Sequence, residues 1–468
     1  MIRVADYIIQ FLEKKKIDTI FTVSGGGSIF LCDALYNAKK IKYVSHHHEQ
    51  AASFAAESYA RANKKVGCAI VTTGPGGTNA ITGVSSAWID SVPVIFISGQ
   101  VFLNQTIMKT KKRQIGVQEI NIVDLVKPNT KFSKMINDPK TINYYLEKAF
   151  YYSTSGRPGP VWLDIPADIQ SAFIDERKVM KYRYKPKELF SRNEKKIDLV
   201  VKKLLNSKRP LIHLGHGVKL SNSHKIIKKF FSKYKIPFLL TWNADDVISS
   251  NHKMYFGKPG AFGHRSSNFI VQNCDFYLSI GTRLPFMVTG YNAKNFAKNA
   301  NFKCMVDIDQ NELKNVNTKI NLKIKSDANI FLSKLYKKIL KFKSKKHWIT
   351  YCQKIKKKYP IVLNQMKTNK KYVNSYYFVD CLSKVLSKNE LIVTDMGFSF
   401  TSSHQAMNLK ENQNFYTNSG HAPMGWGLPA AIGGYFATRK TTKNFICLTG
   451  EGGFQMNIQE LATVMHQK

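Results

Sequence analysis

The sequence predicts an α/β protein built of three successive doubly wound parallel-sheet units, the third cut short. Short apolar runs of strand length recur along the chain, segments of helical periodicity separate them, and glycine-rich turns stand where strand hands over to helix. At 468 residues, 43% of them hydrophobic and 12% aromatic, the chain exceeds one ordinary domain and has material for several packed cores.

In the first unit Val4, Tyr7, Ile8, Phe11 and Leu12 share one helical face. Strands are predicted at 19–23 and 42–46, a helix at 49–62, and further strands at 66–71 and 92–98 with a Gly-Pro-Gly-Gly turn and a helix between them. A charged connection over 175–196 closes this unit. The second repeats the alternation with strands at 211–214, 238–241, 276–280 and 305–308; the third opens near Asn374, with strands at 391–394 and 445–448. The domains expected from this pattern span 1–175, 190–335 and 372–468.

Composition narrows the function classes. No apolar run approaches the ~20 residues that span a bilayer, and the first residues carry Asp6 and Glu13 within an amphipathic pattern unlike a secretory signal, so a cytoplasmic protein is expected. The seven cysteines are scattered without a C-x-x-C pair, which argues against a disulfide or zinc framework. A formal charge of +40 invites a nucleic-acid or membrane reading, but lysine is spread along the whole chain rather than gathered in a patch. The densest basic stretch, Lys334 to Lys371, is expected to be a solvated connection between units. Neither a nucleic-acid nor a membrane partner is expected.

The turns carry the chemistry. Ser24-Gly25-Gly26-Gly27, Gly74-Pro75-Gly76-Gly77-Thr78 and Gly450-Glu451-Gly452-Gly453 all fall where a strand should end and a helix begin. There, backbone N–H groups and the helix N-terminus favour an anion. Any one of these turns alone is as well explained by chain reversal.

Together with their flanks they are specific. Ser45-His46-His47-His48-Glu49-Gln50-Ala51-Ala52, Thr73 to Asn79, Gly156-Arg157-Pro158-Gly159-Pro160-Val161, Met424 to Gly433, and Gly450 to Asn457 resemble, in family order, the motifs of thiamine diphosphate (ThDP) enzymes and of acetolactate synthases among them. The resemblance implies a pyrimidine-binding first domain, a central domain that in some members holds FAD, and a third domain that grips the diphosphate through Mg²⁺. It implies that Glu49 shares a proton with the aminopyrimidine ring and, with Gln118, is catalytic. Cofactor contacts are implied at Gly25, Gly26, Thr73, Pro75, Gly76, Asn79, Met396, Gly397, Phe398, Ala422, Met424, Gly452 and Gly453, and Glu451 is the implied metal ligand. His46 to His48 are expected either to touch substrate or to be polar surface. A 2-oxo acid substrate, a homodimer or homotetramer with one cofactor held between two chains, and a regulatory small subunit follow from the same resemblance.

Departures qualify it. Glu451 takes the place usually held by aspartate, Val117 that of Phe, and Leu284, Pro285 and Phe286 interrupt an acidic pair that normally follows Arg283; these leave substrate and flavin open. Only 17 residues, 452 to 468, follow Glu451, where the family places a further Asn-containing metal segment. An incomplete third domain, hence an inactive fragment, is the expectation. Another ThDP decarboxylase or carboligase, for example in surface-polysaccharide sugar metabolism, is the alternative activity, and a cofactor-binding subunit without turnover is the alternative of another class.

Overall fold

The computed structural model describes residues 1–184, 193–368 and 371–467. By compactness the chain groups into two units, Met1–Pro186 with Asn418–Lys468, and Lys187–Thr417. The predicted connection at 175–196 and the predicted boundary at 190 fall in part outside the described residues.

The first unit holds β1 (Ile2–Arg3), β2 (Thr19–Thr22), β3 (Lys42–Ser45), β4 (Gly67–Val71), β5 (Val94–Gln100), β6 (Phe132–Met135), β7 (Val161–Pro166) and β8 (Phe173–Ile174). Six of these form one sheet in the order β3-β2-β4-β5-β7-β6, every pair parallel, while β1 and β8 make a small antiparallel ribbon. Side chains that alternate along a strand feed two different cores. Ile20, Cys68, Ile70, Ile95, Ile97 and Leu163 join one face with Val4, Ile8 and Leu12 of α1 (Val4–Lys14). Phe21, Ala69, Val71, Val94, Phe96 and Trp162 join the other, beneath α3 (Glu49–Asn63) and α4 (Pro75–Asp90); α2 (Ile29–Tyr36) lies between β2 and β3 in sequence. Because both faces are covered there, the central strands β4 and β5 are buried along their whole length and read as apolar runs.

The second unit repeats the plan. Strands β9 (Pro210–Leu214), β10 (Phe238–Leu240), β11 (Phe276–Ile280), β12 (Phe302–Asp307) and β13 (Leu322–Lys325) form a parallel sheet in the order β10-β9-β11-β12-β13. It also contains the parallel pair β14 (Leu391–Thr394) and β15 (Asn414–Thr417). Asn374, near which the third unit is predicted to open, accepts on its side chain from the N–H groups of Tyr376 and Tyr377 and caps the helix Ser375–Val385. The last predicted strand, β16 (Phe445–Leu448), belongs to the first compact unit.

The basic stretch is more than a connection. Lys357 and Lys358 are exposed as expected, yet the helix Lys346–Lys358 that carries them buries Trp348 and Cys352 in a core with Tyr277 and Met305. Lysine on three sides hid a narrow apolar stripe on the fourth. All seven cysteines are free thiols. Among the described residues no helix is long and apolar enough to cross a membrane.

Candidate active site

In the first unit the C-terminal ends of β2, β3 and β4 deliver three of the motifs to one edge of the sheet, the edge at which open α/β sheets bind ligands. Glu49 is the first residue of α3, and its side chain is largely buried. His48 caps that helix by accepting from the N–H of Gln50. Asn79, one turn into α4, donates to Glu49 Oε2 at 3.0 Å. Oε1 faces Gly76, 3.4 Å from where a Cβ at that glycine would stand. Thus the carboxylate is held from one side by an amide while the Gly74–Gly77 turn leaves it room on another.

The turn itself is built by close approach. Gly74 has φ +61°, and a Cβ there would lie 2.3 Å from the carbonyl oxygen of Gln118, so only glycine fits. Pro75 follows as the first residue of α4, where its missing N–H costs nothing. A Cβ at Gly25 would fall 2.5 Å from Thr72, whereas Gly26 faces open space and is not required sterically. Gln118 is exposed with φ +67°, and Val117 beside it is 87% exposed.

Residues 418–468 supply the other predicted contacts of this unit. Ala422 (φ +59°) and Gly425 (φ +83°) shape the turn that presents Met424, which is about half exposed. The Met424 methyl lies 3.0 Å from where a Cβ at Gly452 would stand. Asn457 Nδ2 donates to the Gly425 carbonyl at 2.8 Å and reaches Gln50 Oε1 at 3.5 Å, so the Met424 turn is tied to the start of α3 within one chain. Glu451, exposed, begins the helix Glu451–Met456. Among the described residues no three His, Cys, Asp or Glu side chains gather as a metal site. Mg²⁺ does not need such a cage, because it commonly takes one or two carboxylates and completes its shell with phosphate oxygens and water.

Met396, Gly397 and Phe398 lie in the second unit. Gly397 (φ +80°) caps the helix Phe398–Ala406, Phe398 is 75% exposed, and Asp395 accepts from the N–H of Met396 at 2.8 Å. In the same unit a Cβ at Gly281 would lie 2.8 Å from the Cα of Gly217. The glycines at this crossing of β9 and β11 are thus demanded by backbone contact, and they carry no argument for a flavin.

The three histidines are sorted by the fold. His46 is buried, with Nδ1 2.6 Å from Glu460 Oε2; the His47 N–H donates to Glu460 Oε1 at 3.0 Å, and Thr463 donates to the same carboxyl group at 2.7 Å. Burial pushes the Glu460 carboxyl up, but these bonds, the one with His46 foremost, outweigh it and hold the group below its usual range. These histidines therefore anchor the helix Glu460–His466 and cap α3, roles the sequence reading missed because Glu460 lies over 400 residues away in the chain.

A buried carboxylate at a helix start, glycine-lined turns at strand ends and parallel sheets define the class to which the chain is similar. Residues 2–123 match the thiamine pyrophosphate enzyme N-terminal TPP binding domain, 197–335 the central domain, and 395–468 the C-terminal TPP binding domain. Among relatives, the acetolactate synthase large subunit of Cyanidium caldarium is 32% identical over 98% of this chain and 78% of its own length. The probable acetolactate synthase large subunit of Methanocaldococcus jannaschii is 34% identical over 98% and 77%, and isozyme 2 of Escherichia coli 30% over 99% and 81%. The chain belongs to the acetolactate synthase large-subunit family of thiamine diphosphate enzymes.

Proposed function

We propose that this chain is a catalytic subunit that decarboxylates a 2-oxo acid and joins the product to a second one, in the manner of acetolactate synthase, from pyruvate to 2-acetolactate. The observation that carries the reading is the placing of Glu49: largely buried, at the start of α3, bonded to Asn79 and facing the Gly76 turn. ThDP, when bound, supplies the electron sink for loss of CO₂. The residues present fit it: Glu49 would hold or release a proton at the pyrimidine ring, Gly25, Gly26, Thr73, Pro75, Gly76 and Asn79 would border that ring, and Met424 would support the bend of the cofactor. Ala422, Gly452 and Gly453 would line the diphosphate and Glu451 would ligate Mg²⁺; Met396, Gly397 and Phe398 are cofactor contacts in the same reading. Gln118 would face the substrate. A division into domains at 1–175, 190–335 and 372–468, a dimer or tetramer sharing each cofactor between chains, and a regulatory small subunit belong to the same reading.

The test is Glu49→Gln, which keeps size and removes the acid–base proton. With ThDP and Mg²⁺ supplied, CO₂ release from pyruvate should fall at least ~100-fold, the usual worth of a positioned acid or base. Undiminished turnover would overturn the mechanism.

A further inference from the structure

Beneath the Thr73 turn lies a buried polar network. Gln100, the last residue of β5, and Asp164, in β7, are each 1% exposed. Parallel pairing sets Ser98 in register with Asp164. Ser98 Oγ donates to Asp164 Oδ1 at 2.6 Å and accepts from the Trp162 indole at 2.8 Å. Gln100 Nε2 donates to Asp164 Oδ2 at 3.1 Å and to the Ile120 carbonyl at 2.9 Å. With the nitrogen so committed, Oε1 accepts from the Thr73 hydroxyl at 2.6 Å and from the Val101 N–H at 3.0 Å. Turning the amide over would set its NH₂ against the Val101 N–H and its oxygen against two acceptors, so Asp164 fixes which way it points. Two segments meet on this one side chain: the Thr73–Gly76 turn and the segment of Gln118, whose carbonyl already presses on Gly74.

We propose that Gln100, oriented by Asp164, is a positioning residue that holds the Thr73 turn and the Gln118 segment at one fixed spacing. The inference rests on the assignment of Thr73 and Gln118 to the active site. A carboxylate in the middle of a buried strand is costly unless its partners repay it. A strand that served only to fill the core would carry an apolar side chain there. Here the carboxylate's two oxygens face two donors, and the amide passes that orientation on to both loops.

The experiment compares, above the pH of about 7 at which Asp164 ionises, the wild-type chain with Gln100→Leu and Asp164→Asn by hydrogen–deuterium exchange and by calorimetric titration with ThDP and Mg²⁺. Asp164→Asn keeps the shape but turns one acceptor into a donor. Peptides covering 72–79 and 114–122 should exchange about tenfold faster in both variants, and ThDP affinity should fall about tenfold, the worth of one hydrogen bond to a charged group. Peptides of β4 and β5 should keep their protection. If Gln100→Leu loses protection throughout the unit, Asp164→Asn alone decides. Unchanged exchange in either segment of Asp164→Asn, or loss of protection throughout its unit, would overturn the proposal. Failure of the wild type to release CO₂ from pyruvate would instead remove the proposed activity and leave the exchange result standing.

Discussion

Arg61 shows what a single side chain does in the first unit. It lies one turn after Glu57 on α3, and both side chains are almost wholly buried. Arg61 Nε donates to Glu57 Oε1 at 2.7 Å and its Nη2 to Asp90 Oδ2 at 2.7 Å, while the Trp426 indole donates to Glu57 Oε2 at 3.3 Å. Burial pushes the Glu57 carboxyl up, and the Arg61 charge works against that rise. In Arg61→Met two carboxylates would remain buried without their cation. We expect a loss of ~3–5 kcal/mol, the usual cost of breaking a buried pair from one side. Urea unfolding followed by circular dichroism measures it, and a change below ~1 kcal/mol would contradict this account. Nothing in the local sequence marks Glu57 and Arg61 as interior; the Trp426 indole that donates to Glu57 stands 369 residues further along the chain.

Among elements, α3 and the helix Gly427–Thr438 pack closely within the first unit. Small residues permit it: a Cβ at Gly433 would fall 2.1 Å from the Ala55 carbonyl oxygen, and Ser58 donates to the Ala430 carbonyl at 2.6 Å. Glycine to alanine inside a helix ordinarily helps by about 1 kcal/mol. Here the obstacle is backbone, which cannot rotate aside, so Gly433→Ala should destabilise by roughly 1–3 kcal/mol, the usual cost of overpacking. A raised melting temperature for that variant would refute the crossing. The same scale explains which strands were legible. β4, β9 and β11 are buried along their whole length and announce themselves as apolar runs, whereas β6 and β13 lie at sheet edges and are only partly buried; β13 alternates Leu and Ile with Lys, and β6 sets Ser133 and Lys134 between Phe132 and Met135. β7 is fully buried but was passed over because Asp164 interrupts its run, and that interruption was the available sign of the network under the Thr73 turn.

For the molecule as a whole, pH dependence follows from the same carboxyl group. Burial pushes Asp164 up to about 7, hydrogen bonds from Ser98 and Gln100 limit the rise, and the Glu119 charge adds to it. A group raised on folding contributes stability that is fully present below its unfolded value, near 4, and is lost as pH climbs through about 7. The wild type should therefore lose stability relative to Asp164→Asn between pH 5 and pH 8, by on the order of a few kcal/mol. Denaturant midpoints of the two proteins across that range isolate this group from all others; parallel curves would show that Asp164 does not titrate there.

The sequence by itself determined the class of fold, the place of the glycine turns and the helix start at Glu49, because these follow from local periodicity, steric limits on the backbone and residue order within motifs. It could not determine which charges would be interior, that His46 would grip Glu460, or that Gln100 would join two segments through Asp164. Those depend on which distant segment covers a given face, and so on the dielectric and the donors each side chain meets once the chain has closed over it.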